Sequence, residues 1–442
     1  MKNLILNMFN VEKENIEFFE SFDDDNGNVK VKIRLKKEVY YCPKCDKKLV
    51  LNGIRNRKIN HKVLSDRNLI IHYEARRYRC LNCNHTEYEK NPFSLKGFKH
   101  SILVINQLML DLHNPQYNYT MLAQKYNMSV NEVINYFDSF ATCYRIELPI
   151  NLGIDEIHSN MAKRKNASYL GVLVNNDRFS LIDILPSRNK SDLNNYFQFI
   201  PQSERDKVKY VTIDMWTPYK EITLKWLKNA IIAVDPFHVI KHLTDSFDNI
   251  RIKVMNRYSK GTNAYYLLKS WNKLLMSDKY KLNGERVYNS FFKMKLNYGD
   301  LKKMILDIDE ELKLAYELKE LYRNFNKRCE YKDAEKELNE LINIFQRSEI
   351  KEYEIFIQIL IKWKKEIINS FIISNQNHKK LSNAKVESMN NSIRTYLNIS
   401  KGTSNYMRFR KRMLYCFNDE LFYNLTNKLT SLKRDFKNKK KI

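Results

Sequence analysis

No run of about 18 apolar residues occurs anywhere in the 442-residue chain, so nothing in it reads as a transmembrane helix. The opening residues, MKNLILNMFNVEKENIEFF, run into acids instead of a small-residue cleavage site, so they do not read as a secretory signal. Acid is also in deficit: 51 Asp and Glu stand against 77 Lys and Arg, a net charge of +26. A surplus of that size points to a polyanionic partner, nucleic acid or an anionic membrane surface. Without a membrane segment, nucleic acid is favoured. Abundant Asn, Lys, Ile and Tyr are also what an AT-rich genome produces, so charge alone identifies nothing. Hydrophobic residues at 43% and aromatics at 12% suffice for a packed core, and the length calls for two to four domains. Seven cysteines cannot all pair. Cys143, Cys329 and Cys416 stand alone among apolar or helical neighbours and read as inert thiols in a reducing compartment. The expectation is a cytosolic chain, found at the nucleoid when bound to DNA.

Organisation changes along the chain. Val29, Val31, Ile33 and Leu35 alternate with Lys30, Lys32, Arg34 and Lys36, a period-two strand with a basic outer face. A second strand-like run spans Leu69 to Tyr78. From about 100 to 145 the period becomes helical, with Leu103, Ile105, Leu108 and Leu112 roughly on one face. A short helix from Met121 to Tyr126 is followed by Asn127-Met128-Ser129 and a helix from Val130 to about Phe140. That is the layout of a helix-turn-helix, with Ser129 as N-cap and Glu132 three residues on. Strand-like runs then appear at 150–157, 169–174, 179–185, 210–213 and 230–234, with helices predicted over 191–200 and 218–228. Three strands on short turns, then helix, strand, helix, strand, is the order of a ribonuclease-H-like α/β domain. From 238 to about 375 the chain is almost free of Gly and Pro and reads as all helical. Lysines crowd the last residues, a basic tail.

Two Cys-x-x-Cys pairs, Cys42/Cys45 and Cys80/Cys83, are separated by 34 residues. Four soft thiolates in two knuckles can surround one structural zinc tetrahedrally, with strands between the knuckles as in a zinc ribbon. His85 lies close enough in sequence to substitute, though four sulfurs make it unnecessary. On the second helix of the helix-turn-helix, Asn131 and Asn135 are placed to face a DNA groove, and asparagine suits bidentate contact with adenine. An ordinary helical pair is the bland reading of the same residues.

The catalytic candidates are carboxylates. Asp155 lies inside the apolar run Leu152-Gly-Ile-Asp155-Glu156-Ile157, and Asp214 ends Val211-Thr-Ile-Asp214. A buried carboxylate is costly without a cationic partner, and neighbouring strands can bring the two to shared magnesium or manganese ions. Two such cations about 4 Å apart activate a water or a 3′-hydroxyl against a phosphodiester. Glu387, in Asn383-Ala-Lys-Val-Glu387-Ser-Met-Asn390-Asn391-Ser-Ile-Arg394, is the candidate third acid. Asn390, Asn391 and Arg394 share its helical face, a stripe suited to a DNA backbone. Taken singly, each acid is equally a cap or a surface group. Neighbours in a strand point to opposite faces, so only one of Asp155 and Glu156 is expected to face the site.

These stretches, together with Asp214-Met-Trp216-Thr-Pro-Tyr219, Asp235-Pro-Phe237-His238-Val239 and Tyr406-Met-Arg408-Phe409-Arg410, resemble the ISL3 family of insertion-sequence transposases. The likeness runs from residue 40 to about 420 and includes the order zinc knuckles, helix-turn-helix, catalytic domain. It implies a DDE enzyme in which Asp155, Asp214 and Glu387 hold the catalytic magnesium or manganese, with the helical block inserted between the fifth strand and the Glu387 helix. It further implies that the partner is double-stranded DNA, both transposon ends and target, with no membrane and with a homodimer or larger complex at synapsis. Asp235 and His238 form a motif shared by several transposase groups. They either orient a group behind the metal ligands, contact DNA near the scissile phosphate, or serve the fold, with Asp235 capping the helix His238 joins. Ser388 stands where glycine is common.

The resulting architecture is α/β. A zinc-ribbon-like module (1–95) and a helix-turn-helix domain (96–146) precede a ribonuclease-H-like core (147–240). A helical insertion (241–375), the last part of the core with the Glu387 helix (376–425) and the basic tail (426–442) follow. Two rivals share these features: a DNA-binding regulator that has lost catalysis, and a structure-selective nuclease on the same fold.

Overall fold

The structure, a computed structural model, describes residues 2–25, 27–62, 68–142, 144–277, 279–374, 378–400, 403–418 and 423–425, without the side chains of 62 and 163–165. Cys143 and the basic tail lie outside them. The chain divides into two compact units, Met1–Arg145 with Ser392–Ile442, and Ile146–Asn391.

In the first unit, helix α1 (Lys2–Met8) precedes strands β1 (Ile16–Asp23), β2 (Val29–Leu35), β3 (Val50–Lys62), β4 (Asn68–Arg79) and β5 (Thr86–Tyr88). They form one sheet in the order β1-β2-β4-β3, with β5 also on β4. The alternation in β2 is realised: Val31 and Ile33 are fully buried. Its basic residues are not a bare face, because Lys30 pairs with Asp24, Lys32 with Glu74, and Arg34 with Glu17 and Glu74.

The helix-turn-helix expectation matches α2 (Ile102–Leu112), α3 (Tyr119–Tyr126) and α4 (Val130–Phe140). Asn127 ends α3 in the left-handed region, at φ 50°, where asparagine is tolerated. Ser129 and Glu132 close a reciprocal capping box on α4, satisfying two backbone amides that the helix cannot. Leu108, Leu112, Leu122, Val133 and Phe137 form the core between them. The helix Tyr406–Phe417 joins the same unit: Tyr415 Oη donates to the Met109 carbonyl at 2.8 Å, and Arg412 donates to the carbonyls of Asn114 and Tyr117. The segment expected as the last part of the core, 376–425, is therefore divided. Its contacts belong to the second unit through Asn391 and to the first from Ser392.

The second unit opens with β6 (Asn151–His158), β7 (Tyr169–Asn175) and β8 (Ser180–Leu185). Helices α5 (Lys190–Gln198) and α6 (Gln202–Arg205), strand β9 (Tyr210–Ile213), helix α7 (Thr217–Trp226) and strand β10 (Ile231–Val234) follow. The sheet order is β10-β9-β6-β7-β8. β6, β7 and β8 form an antiparallel meander, while β9 pairs parallel with β6 and β10 parallel with β9. Beyond it come α8 (Pro236–Met255), α9 (Asn263–Ser270), α10 (Lys273–Met276), α11 (Tyr298–Leu306), α12 (Glu310–Arg328), α13 (Tyr331–Arg347), α14 (Glu354–Lys362), α15 (Lys364–Asn369) and α16 (Ala384–Ile399).

The expected all-helical insertion is not wholly helical. Val287–Asn289 and Met294–Leu296 form an antiparallel hairpin, turned by Asn289 Oδ1 accepting the amides of Phe291 and Phe292 and by Lys293 at φ 54°. A short asparagine turn between two three-residue strands disappears in a composition averaged over more than a hundred residues. Among the described residues no helix is long and apolar enough to cross a membrane.

Candidate active site

Three aspartates collect at the carboxyl ends of the parallel strands. β6 pairs with β9 only over Asn151–Gly153, so Asp155 and Glu156 extend past the end of β9, where Asp214 follows Ile213. In the register of β10 on β9, Val234 lies opposite Ile213, and the Asp235 amide donates to the Ile213 carbonyl at 2.9 Å. Asp235 is thereby set beside Asp214 by strand register alone. The rim beyond strand carboxyl ends is where open α/β sheets build ligand sites.

Asp155, Glu156 and Asp214 each offer a carboxylate oxygen within 4.8 Å of the others. The expectation that only one of Asp155 and Glu156 reaches the site is corrected: the longer Glu156 side chain reaches it as well. It is already balanced there, accepting from Arg188 Nη1 and from Tyr219 Oη at 2.9 Å. The Arg188 guanidinium is itself held 4.4 Å from the Tyr169 ring centre and 4.7 Å from that of Trp216. Among the described residues no cation forms an ion pair with Asp155 or Asp214, although the charge of Arg188 is felt by Asp214. Burial pushes the Asp155 carboxyl up to about 7, and the charges of Glu156, Asp214 and Asp235 push the same way. Burial likewise raises Asp214 to about 7, with repulsion from Glu156 added. Two half-buried carboxylates so disfavoured as anions are the donor set a divalent cation would stabilise.

Glu387 does not join that group. It lies with Asp235 and His238, one ligand atom of each within 4.8 Å of the others. The two groups adjoin, since the Asp235 charge is felt by both Asp155 and Asp214. Helix α16 carries Glu387 over β6. At Gly153 an added Cβ would stand 2.3 Å from Val386 Cγ2, so the approach requires glycine. Asn383 fixes the start of the helix, donating its amide N–H to Asp235 Oδ1 at 3.1 Å and its Nδ2 to the Ile154 carbonyl at 3.3 Å. Asp235 is 3% exposed, and its Oδ2 has no hydrogen-bond partner. It occupies the N-cap position of α8 without making a side-chain cap hydrogen bond; the Phe237 amide only favours its charged form. Burial lowers the His238 imidazole pKa below its usual value, which leaves the ring neutral.

Asn390, expected to track DNA, is 1% exposed. Its Nδ2 donates to Asp155 Oδ2 at 2.8 Å and approaches the Glu156 carbonyl at 3.4 Å, so it faces the carboxylates and not a nucleic acid. Asn391 and Arg394 are exposed, as are Asn131 and Asn135 on α4. The signals for Asn390, Asn383 and Arg188 were faint in sequence. Each lies in a largely polar stretch of sequence where nothing singles it out, and only the packing of α16 and the β7–β8 sheet edge reveals its use.

The antiparallel β3–β4 ladder pairs Val50 with Arg79, which brings the knuckle before β3 to the knuckle after β4. Cys42 Sγ lies 3.4 Å from Cys83 Sγ, Cys45 Sγ 3.4 Å from Cys80 Sγ and 3.6 Å from Cys83 Sγ. Disulfides need about 2 Å, whereas sulfurs at tetrahedral corners about 2.3 Å from zinc are about 3.8 Å apart. Asp46 and Asn84 turn the two knuckles at φ 53° and 56°. The Lys47 backbone amide, with the Asn82 side chain, draws the Cys45 thiol down to about 6, favouring the thiolate. His85 stays outside the sulfur group, its Nε2 3.8 Å from the Glu87 carboxylate.

This chain is similar to known transposases. A transposase family model, that of the ISL3-type DDE transposases, matches residues 152–413, well over half of the chain. A stretch of 119 residues is 28% identical to the transposase for insertion sequence element IS1557 of Mycobacterium tuberculosis, covering 27% of this chain and 24% of that relative. Another of 136 residues is 26% identical to the transposase for insertion sequence element IS1001 of Bordetella parapertussis, covering 30% of this chain and 32% of the relative. The chain thus matches about a quarter to a third of the length of these curated relatives. Four cysteines gathered at one point, a sheet rim lined with carboxylates and a family match across that rim agree: the chain belongs to the ISL3 family of DDE transposases.

Proposed function

We propose that this chain is a DNA transposase that binds the terminal inverted repeats of its own element and cuts and joins DNA with Asp155, Asp214 and Glu387. The observation that carries the reading is the acidic rim: Asp155 and Asp214 share one ligand group, Glu387 lies in the adjoining one, and Asn390 on the Glu387 helix binds Asp155. The strand order β10-β9-β6-β7-β8, with an antiparallel meander flanked by parallel strands, supports a ribonuclease-H-like core. The helical block between β10 and α16 would then be its insertion.

Magnesium or manganese ions held by these carboxylates would activate the attacking oxygen and stabilise the leaving one. The residues of the chain prepare the site for that. Arg188 and Tyr219 hold Glu156 aside, Asn390 orients Asp155, and Asn383 orients Asp235. In the first step a water oxygen attacks phosphorus in line and loses a proton to solvent, while the bond to the 3′-oxygen of the transposon end breaks and that oxygen takes up a proton to become a 3′-hydroxyl. The freed 3′-hydroxyl then attacks a target phosphodiester, so one bond forms as one breaks and no nucleotide cofactor or covalent protein–DNA intermediate is needed. The zinc-bearing sheet and the helix-turn-helix would recognise double-stranded DNA, with Asn131 and Asn135 toward the bases and Asn391 and Arg394 toward phosphates. Two copies would hold the two ends at synapsis.

A strand-transfer assay with the element's own ends, magnesium and a plasmid target tests this. Joined product that is lost in Asp214→Asn is expected. Cutting without joining would point to a nuclease, and end binding without cutting in the wild type to a regulator.

A further inference from the structure

Asp235 and His238 are separated by one helical turn at the start of α8, so both side chains face the same side, toward Glu387 on α16. One carboxylate oxygen or imidazole nitrogen of each lies within 4.8 Å of the others. Two observations single this cluster out from an ordinary acidic patch. Asp235 is 3% exposed, and although Asn383 satisfies its Oδ1, its Oδ2 has no donor. A buried carboxylate oxygen left so costs free energy unless something cationic meets it. The His238 ring, half-buried beside it, takes part in no hydrogen bond among the described residues and sits edge-on to Phe237 at 5.7 Å. An imidazole beside two carboxylates offers the mixed nitrogen and oxygen donors that a divalent transition ion takes.

The chemistry of this set differs from that of its neighbour. Asp155 and Asp214 present oxygen alone, and the nearby guanidinium is taken by Glu156. All-oxygen sites suit hard cations such as magnesium. Imidazole with carboxylates suits first-row transition ions better, in the order that places manganese below cobalt and zinc.

We infer that Asp235, His238 and Glu387 form a separate cation position with a nitrogen ligand, which takes a divalent transition ion such as Mn²⁺, next to the all-oxygen position of Asp155 and Asp214. This rests on the two-cation reading above and adds to it that the position holding Glu387 is built by a motif of α8, with Asp235 and His238 as direct ligands. The rim would then discriminate between ions: one position filled readily by magnesium, the other favouring manganese.

Mn²⁺ is titrated into the full-length protein with its cysteines undisturbed, and bound ions are counted by electron paramagnetic resonance. Pulsed measurements then look for the coupling of a directly bonded imidazole nitrogen. Wild type is expected to bind two Mn²⁺ and to show the nitrogen coupling. His238→Gln is expected to lose the coupling and to weaken one ion by at least tenfold, the usual scale for a lost metal-site partner. Asp235→Asn, which keeps the shape of the side chain, should weaken the same ion. His72→Gln, on β4 of the first unit, should change nothing. In Asp214→Asn the nitrogen-coupled ion should remain while the other is lost. Wild-type protein without nitrogen coupling, or coupling that survives His238→Gln, overturns the assignment while leaving the carboxylate reading intact. Two ions still bound in Asp214→Asn would instead overturn the carboxylate reading. Should His238→Gln fail to fold by circular dichroism, the wild-type coupling and Asp235→Asn decide the question.

Discussion

Asn390 Nδ2 donates to Asp155 Oδ2 across 2.8 Å, tying the helix that carries Glu387 to the strand that carries Asp155. Asp155 is a carboxylate held near its titration point by burial and by neighbouring acids, so one well-aimed donor decides where its oxygens rest. Asn390 is itself fully buried, so the amide has no water to replace the bond if the partner moves.

Asn390→Ala should therefore reduce strand cleavage by about ten- to a hundred-fold, the range found when a residue supporting metal ligands is removed. Binding of DNA ends by the first unit should be unchanged. Single-turnover cleavage beside an end-binding titration measures both. Full cleavage by Asn390→Ala would show that Asp155 needs no such positioning.

Gly153 is required for space and not for backbone freedom. A Cβ there would lie 2.3 Å from Val386 Cγ2 and 2.8 Å from Asn176 Nδ2. Gly153→Ala should cost about 1–3 kcal/mol, as overpacking of a well-filled interior does, and should displace α16 with Glu387. Val386→Ala removes the nearer of the two contacts and leaves that with Asn176, so the double variant should recover part of both stability and cleavage. Thermal unfolding of the four proteins forms a double-mutant cycle; purely additive losses would show that the two residues do not press on each other.

Much of this site was legible in the sequence, and the reason is visible in particular residues. Asp155 and Asp214 announced themselves because an acid inside an apolar strand is costly, and the strands β6 to β10 fall close to where the patterns put them. The helix-turn-helix was equally legible through the Ser129–Glu132 box, which is a local signal. What escaped was set at long range. Asp235 comes beside Asp214 through strand register, and Glu387 falls with Asp235 and His238 through the packing of α16; neither relation has a period or a spacing. The buried side of Asn390 was misjudged for the same reason, because a helical face says which residues travel together but not which way they look. β1 and β3 went unseen because β3, with Asn52, Gly53, Arg55, Asn56 and Arg57, lacks alternation and is a strand only because β4 pairs with it.

All four sulfurs lie within 4.8 Å of one another, and three of the pairs, at 3.4–3.6 Å, are slightly closer than zinc would hold them and far too distant for disulfides. Purified protein should carry about one zinc per chain. Cys80→Ser, at a fully buried position, should lose most of that zinc and lower the unfolding temperature of the first unit, since structural zinc contributes folding free energy directly. Release measured with a colorimetric chelator, alongside thermal scans, tests it; zinc-free protein of unchanged stability would remove the metal from the account.

His61 on β3 is 5% exposed, its ring set edge-on to Phe9 at 5.4 Å. Its Nδ1 lies 2.7 Å from Ser101 Oγ. That oxygen already accepts the Val104 amide in capping α2, so its proton is available to donate to a neutral imidazole. Burial holds the folded imidazole down to about 4, against about 6.5 in an unfolded chain. The unfolded chain therefore binds a proton that the folded ring refuses. The stability due to this residue is complete above about pH 6.5 and falls as the pH drops toward 4, by on the order of 3 kcal/mol in all. His100 shifts in the same direction, also by burial, and adds to the slope. Denaturant unfolding of wild type and His61→Gln between pH 4.5 and 7 isolates the effect, because carboxylates and thiolates contribute equally to both. The variant should be less stable at neutral pH yet lose less on acidification, and parallel curves for the two proteins would show that His61 is not the group that responds.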